Sequence, residues 1–174
     1  MLDPNRPAAE LYLDLLVDCL GDSLRPEEYV ALAPGPGGPV QLAKRAAVSA
    51  ANGLLSLGRL ELVRQARVDP AMRREGLDWP ARAETLLGRK CLEQLRSCVR
   101  TVLDENIPGD LIECGVWRGG ATILMRALLA VHGDRTRRVW VADSFQGLPA
   151  PDAARYPADR GDLAMKVMGR AGGP

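Results

Sequence analysis

Five residues near the middle of the chain have types and spacing suited to holding a ligand. In the string DLIECGVWRGG, residues 110–120, a short hydrophobic run ends on Glu113, Cys114 and Gly115, and the chain reopens on Gly119 and Gly120. A glycine at the end of a strand lets a ligand pass close to the main chain, because no Cβ is in the way. Glycines that open a helix sit where free N–H groups and the positive end of the helix dipole collect. Asp143 follows 28 residues after Gly115 and ends a second hydrophobic run, a place from which a carboxylate accepts hydrogen bonds from both hydroxyls of a ribose. Together these residues point to a cofactor containing adenosine. An ordinary strand-to-helix turn explains them equally well, with Glu113 satisfied by a neighbouring N–H and Asp143 capping its own loop.

The spacing narrows the choice of cofactor. Gly115-x-x-x-Gly119-Gly120 is not GxGxxG: Trp117 stands where the middle glycine would admit a pyrophosphate. No GxxxxGK[ST] phosphate loop occurs. This counts against NAD and leaves room for a smaller, phosphate-free ligand such as S-adenosylmethionine. A zinc site is disfavoured, because the single His132 has no nearby partner and Cys19, Cys91, Cys98 and Cys114 form no CxxC pair.

These residues need a scaffold, and the pattern around them supplies one. DLIEC reads as a strand, GATILMRALLAV as a helix ending near His132 and Gly133, and RVWVAD as a second strand. Strand, helix and strand within about 35 residues make a βαβ unit, whose connection is expected to be right-handed. A long helix is predicted over about 82–105, with Leu87, Cys91, Leu95, Cys98, Val102 and Leu103 on one face. Asn106 and then Pro108-Gly109 mark its end. Upstream, residues 8–20 place Leu11, Leu15, Leu16, Cys19 and Leu20 on a stripe, with Gly21 as a stop. APGPGGPV, residues 33–40, reads as a loop or linker, and 41–66 as a helix weakened by Gly53 and Gly58. The layout is a helical extension over 1–81, a cofactor-binding helix plus βαβ unit over 82–162, and a tail over 163–174.

Bulk properties exclude several classes. Lys and Arg number 23 against 22 Asp and Glu, so there is no electrostatic footprint for nucleic acid or an anionic membrane surface. No apolar run reaches the roughly 18 residues of a membrane span, and the acidic, leucine-containing start does not read as a signal peptide. A cytoplasmic, reducing compartment fits the cysteine usage.

The longer strings PGDLIECGVWRGGATILMRALL and RRVWVADSFQGLPAPDAARYPADRGD closely resemble the macrocin O-methyltransferase family. LYLDLLVDCL and GLDWPARAETLLGRKCLEQL resemble its earlier segments, so the likeness covers most of residues 10–162. The resemblance implies an α/β fold, the amino-terminal part of a class I methyltransferase Rossmann-like fold with a helical amino-terminal extension. It also implies S-adenosyl-L-methionine as cofactor and a small-molecule glycoside acceptor, a sugar hydroxyl of a macrolide-like natural product. Glu113 and Gly115 would lie beside the methionine part and sugar of the cofactor, Asp143 would bind the ribose hydroxyls, and Ser144 would lie near the adenine edge. Thr85 and Leu86 would close over the cofactor from the preceding helix, in a stretch resembling the family's Thr-Met-Ile-Gly pattern, from which Leu86 and Leu87 depart conservatively. Tyr156 resembles part of a substrate lid, or forms an ordinary surface turn.

The family's later half carries the aspartates that bind Mg2+ and the acid/base groups, and the likeness fades after Asp162. The expectation is therefore a truncated chain, catalytically silent alone and marginally folded, with no catalytic residue assigned. A sugar hydroxyl has a high pKa and needs a base or metal to react, and His132 is at the wrong end of its helix. Val139, Trp140 and Val141 would lack neighbours on a two-stranded parallel sheet, which leaves homo-oligomer formation open. A non-catalytic interaction or decoy protein and an NAD enzyme are the alternative readings.

Overall fold

The structure, a computed structural model, describes residues 7–25, 27–32, 38–78, 80, 82–147, 151–152 and 154–159. In chain order the elements are α1 (Ala8–Leu20), β1 (Glu27–Ala31), α2 (Pro39–Ser56), β2 (Val63–Arg67), α3 (Pro70–Glu75), α4 (Arg89–Asp104), β3 (Leu111–Cys114), α5 (Gly120–Val131) and β4 (Val139–Ala142). A 3-10 turn, Pro157–Asp159, follows.

The carboxy-terminal half takes the strand–helix–strand order expected of residues 110–143. β3 and β4 pair in parallel, with Leu111 opposite Val139 and Cys114 opposite Ala142, and α5 crosses between them. Leu111 and Val139 pack against the core, whereas Ile112 and Trp140, opposite each other, are 60% and 51% exposed. The outer face of this small sheet is thus open among the described residues. α5 is the most buried helix, with Leu124, Leu128 and Leu129 fully enclosed. It ends in a Schellman motif: Gly133, at φ +73°, donates to Ala130, and Asp134 donates to Leu129.

α1 and α4 complete the core with α5. Leu13, Val17 and Leu20 of α1 meet Leu92 and Val99 of α4 and Leu124, Met125 and Leu128 of α5. Arg96 reaches from α4 to Asp14 (2.6 Å) and Glu10, and Arg100 reaches Glu10 at 2.5 Å, so a charge network runs beside the apolar contact. The predicted stripes are each rotated from the true ones. On α1 the core takes Leu13 and Val17, while Leu15 is exposed. On α4 it takes Leu92 and Val99 with Leu95 and Leu103 partly buried, while Cys91 and Cys98 face solvent. Leu92 and Val99 are seven apart, as are Cys91 and Cys98, so spacing defines two adjacent stripes and packing against α1 and α5 selects between them. The left-handed residue that stops α1 is Asp22, at φ +50°, and not Gly21.

Two elements differ in extent from the sequence expectation. α4 begins at Arg89, not near residue 82, because residues 82–88 form an irregular segment that packs on α5. The predicted helix over 41–66 ends at Ser56, and Val63–Arg67 is a strand antiparallel to Glu27–Ala31. The extension is therefore not purely helical. Asn52 Oδ1 accepts from the Leu62 N–H at 2.8 Å and helps turn the chain from α2 into β2. Of the proline- and glycine-rich stretch, residues 39–40 open α2, with Pro39 at the first helical position, and 33–37 lie outside the described residues, as does 163–174.

α3 is tied to the end of α1 by one buried cation. Arg73 is 5% exposed; its Nη1 donates to the carbonyls of Gly21 and Asp22, and its Nε to Asp78 at 2.5 Å. Gly76 and Gly88 stand back to back, and a Cβ on Gly88 would lie 2.2 Å from the Gly76 nitrogen. Only a residue without a side chain fits there.

Candidate functional site

A cavity of about 350 Å³ opens beyond the carboxyl end of β3. One wall is Ile112, Glu113, Cys114, Gly115, Val116 and Trp117; the other is Thr85, Leu86 and Leu87; Leu95 of α4 and Ala121 and Met125 of α5 form its base. In a parallel α/β sheet this end of the strand is where ligands bind.

The turn that shapes the first wall is unusual in its backbone. Gly115 continues the ladder by donating to Ala142 at 2.9 Å, then takes φ +78°. A Cβ there would meet nothing within 4 Å, so its surroundings are open and the glycine is required by its conformation. Trp117 takes φ +50°, a strained choice for a bulky residue, of order 1–3 kcal/mol. Gly119, at φ +82°, then closes the turn with its N–H on the Val116 carbonyl at 2.8 Å.

Glu113 is half-buried and faces the start of α5. Its Oε2 accepts from the Thr122 N–H at 2.7 Å and from the Thr122 hydroxyl. It thus satisfies one of the free amides at the helix start and complements the dipole. Asp143 follows β4 and bridges two loops. Its Oδ2 accepts from the Val116 N–H at 2.7 Å, and its Oδ1 from the Phe145 N–H at 2.9 Å. The Phe145 N–H, then the Val116 N–H, hold this exposed carboxyl below the usual carboxylate range. A carboxylate has about four lone-pair sites, so acceptor capacity remains. Ser144 Oγ accepts from the Gln146 N–H at 3.3 Å and lies outside the cavity lining.

Thr85 and Leu86 reach the cavity from the segment before α4, and not from a helix as expected. Thr85 is 6% exposed, and its Oγ1 accepts from the Leu87 N–H at 3.1 Å. The segment is pinned from two sides: the Glu84 N–H donates to Leu20 O at 2.8 Å, and the Gly120 N–H donates to Glu84 O at 2.9 Å. A Cβ on Gly120 would lie 2.5 Å from that oxygen and 2.7 Å from Thr85 Cβ. Gly120 was expected to expose its N–H to a ligand; it is instead occupied by the chain's own backbone.

The structure therefore brings Thr85, Leu86, Glu113 and Gly115 to one cavity and sets Asp143 on its rim through Val116. Thr122, Leu95, Met125 and Trp117 complete the surroundings, and sequence reasoning assigned none of them to the site. A threonine three residues into a helix carries no signal of its partner acid nine residues earlier. Tyr156 is exposed, donates its N–H to Asp152 O at 2.8 Å, and does not line the cavity. Among the described residues no group of three or more His, Cys, Asp or Glu is placed to hold a metal ion, so the oxygen ligands Mg2+ requires are not assembled by them.

The solved structure of the O-methyltransferase NovP shares the fold with a TM-score of 0.60 at 37% identity, covering 94% of this chain and 52% of that one. The architecture is that of an α/β methyltransferase, and this chain spans about half the length of that neighbour. The model of the macrocin O-methyltransferase family (TylF) matches residues 9–169, and the chain belongs to that family. The match continues past Asp162, where the likeness was expected to fade.

Three curated relatives are similar. A demethyldecarbamoylnovobiocin O-methyltransferase of Streptomyces niveus is 57% identical over 89 residues, 51% of this chain and 34% of the relative. An 8-demethyl-8-(2,3-dimethoxy-alpha-L-rhamnosyl)-tetracenomycin-C 4'-O-methyltransferase of Streptomyces olivaceus is 56% identical over 85 residues, 49% and 33% respectively. A mycinamicin III 3''-O-methyltransferase of Micromonospora griseorubida is 44% identical over 98 residues, 56% and 39%. The matches span about a third of the length of these relatives.

Proposed function

We propose that the cavity beyond β3 holds S-adenosylmethionine and that the chain serves methyl transfer to a sugar hydroxyl of a macrolide-like glycoside. The observation that carries this reading is the open Gly115 turn at the carboxyl end of a parallel strand, within a chain of the macrocin O-methyltransferase family. The bound cofactor would supply an electrophilic sulfonium methyl group. The residues here bind and orient. Gly115 lets the ligand lie against the backbone, while Glu113, fixed by Thr122, presents its remaining acceptor capacity to the amino-acid or sugar part. Asp143 has lone pairs for the ribose hydroxyls, and Ser144 stands at the adenine edge. Thr85 and Leu86 cover the ligand from the opposite wall. The predominantly apolar lining excludes water around the reactants, and holding two reactants in register is the main protein contribution to such a transfer. No step is assigned to Mg2+.

The relatives support this acceptor class: all three are named as O-methyltransferases, and the name of the Streptomyces olivaceus relative includes a rhamnosyl group. Four exposed and unpaired thiols favour a reducing compartment, the cytoplasm. The open Ile112 and Trp140 face favours homo-oligomer formation, which light scattering of the purified chain would measure.

The test is a calorimetric titration with S-adenosylhomocysteine, with NADH as control. Wild type is expected to bind the former and not the latter. Asp143→Ala is expected to weaken binding at least roughly tenfold, through lost ribose contacts and a loosened Val116 turn. No binding by a folded wild-type chain would overturn the reading.

A further inference from the structure

We propose that Arg118 is a positioning residue for the ligand cavity: it fastens the 83–87 segment to the glycine turn and thereby sets the distance between the cavity's two walls. The inference rests on the reading of the cavity as an S-adenosyl site. The walls come from separate stretches, Thr85–Leu87 and Ile112–Trp117, and have to be held in register for one ligand to touch both. Arg118 Nη1 donates to the Ala83 carbonyl at 2.8 Å, across 35 residues of sequence. The same guanidinium lies over the Trp117 ring, 4.4 Å from its centroid.

One side chain thus touches the turn on one side and the opposing segment on the other. The Trp117 backbone is in the left-handed region, where a bulky residue persists only if its surroundings hold it, and Trp117 lines the cavity. The Gly120 N–H bond to Glu84 O, with no room for a Cβ, is the neighbouring fastening. Lysine would not substitute fully: an ammonium can reach one carbonyl, but it lacks the planar fork that stacks on an indole while donating in its plane.

The experiment compares wild type, Arg118→Ala and Arg118→Lys by amide hydrogen exchange without ligand and by titration with S-adenosylhomocysteine. In Arg118→Ala the Gly120 and Leu87 amides, which bond Glu84 O and Thr85 Oγ1, are expected to exchange faster. Amides of Leu92 and Leu128 in the helical core are expected to keep their protection. The dissociation constant for S-adenosylhomocysteine is expected to rise roughly tenfold in Arg118→Ala and by less in Arg118→Lys.

Unchanged exchange and affinity in both variants would overturn the proposal. So would loss of protection at Leu92 and Leu128 together with the cavity amides, since Arg118 would then be a general stability element. Should Arg118→Ala not fold, Arg118→Lys decides: wild-type exchange and affinity there would also overturn it. Faster exchange at Gly120 and Leu87 in the variants of a wild type that binds no S-adenosylhomocysteine would overturn the ligand reading and leave the clamp standing.

Discussion

Two regions of the molecule have comparable secondary structure and opposite relations to a core. In β1–α2–β2, from Glu27 to Arg67, the described side chains include none that is buried, and the 18-residue α2 exposes Val40, Leu42 and Leu54. In the α1–α4–α5–β3–β4 region, helices of 12 to 16 residues share one enclosed cluster. An isolated two-stranded ribbon is marginal in water, and most helical stability comes from packing of an apolar face. The difference teaches where precision is available. A cavity wall needs fixed side chains, and only the second region, with Leu13, Leu92 and Leu128 fully buried, provides them. The candidate site lies on that region and on the 82–88 segment packed against it.

The largest effect expected from this contrast comes from matched leucine truncations. Leu128 is 0% exposed at the centre of the cluster, and Leu54 in α2 is 73% exposed. Leu128→Ala is expected to destabilise by about 2–5 kcal/mol, through lost transfer energy and the cavity left behind. Leu54→Ala should stay within about 0.5 kcal/mol. Urea unfolding followed by circular dichroism measures both, and equal midpoints would dissolve the distinction between the regions.

Glycine replacements sharpen the comparison at smaller scale and with opposite signs. Gly53 lies inside α2 with nothing within 4 Å of an added Cβ, so Gly53→Ala is expected to stabilise by about 0.5–1 kcal/mol through helix propensity. Gly120→Ala drives a methyl into the Glu84 carbonyl and Thr85. About 1–3 kcal/mol of destabilisation is expected, as for other overpacked sites, together with weaker S-adenosylhomocysteine binding because the 83–87 segment is displaced. Thermal melts give the signs, and two shifts in the same direction would refute the account of Gly120.

How far the sequence could be read follows the same division. The βαβ unit was legible almost to the residue: short hydrophobic runs marked β3 and β4, and the glycines at 119–120 and 133 bracketed α5. Glu113 within that unit and Gly115 at the end of its first strand line the cavity. What sequence could not supply were choices made by tertiary partners. Cys91 and Leu92 head equally good stripes, and only α1 and α5 decide which one turns inward. VRQAR at 63–67 has no alternation of apolar residues, because both faces of the ribbon are solvated, and its pairing with Glu27–Ala31 spans all of α2. The 82–88 segment has helix-forming residues but is held irregular by the Leu20 carbonyl and the Gly120 amide, bonds to residues some 35 or more positions away. Glu113 and Asp143, singled out in the sequence as ligand contacts, both serve the chain's own amides at Thr122, Val116 and Phe145. Structural duty and ligand binding are not exclusive for a carboxylate with four acceptor sites.

The smallest expected effect concerns acid, at the junction of α5 and β4. Asp134 accepts from the Arg137 and Thr136 N–H groups, from the Thr136 hydroxyl and from Arg137 Nε at 3.0 Å. The Arg137 N–H, then the Thr136 N–H, lower its pKa to about 2. Arg137 in turn donates to the Gly109 carbonyl at 2.7 Å, so the acid organises the segments leading into both parallel strands. A group with a depressed folded pKa contributes stability above its unfolded value, near 3.8, and loses it as pH falls toward the folded value. The melting temperatures of wild type and Asp134→Asn are therefore expected to differ by a constant, small amount above about pH 4 and to converge toward pH 2. The loss should appear in amide exchange of the β3–β4 ladder, while the Val63–Arg67 amides, on the other region, stay unchanged. A difference that persists at pH 2, or one that reaches β2 equally, would show that Asp134 does not act through its charge on the βαβ unit alone.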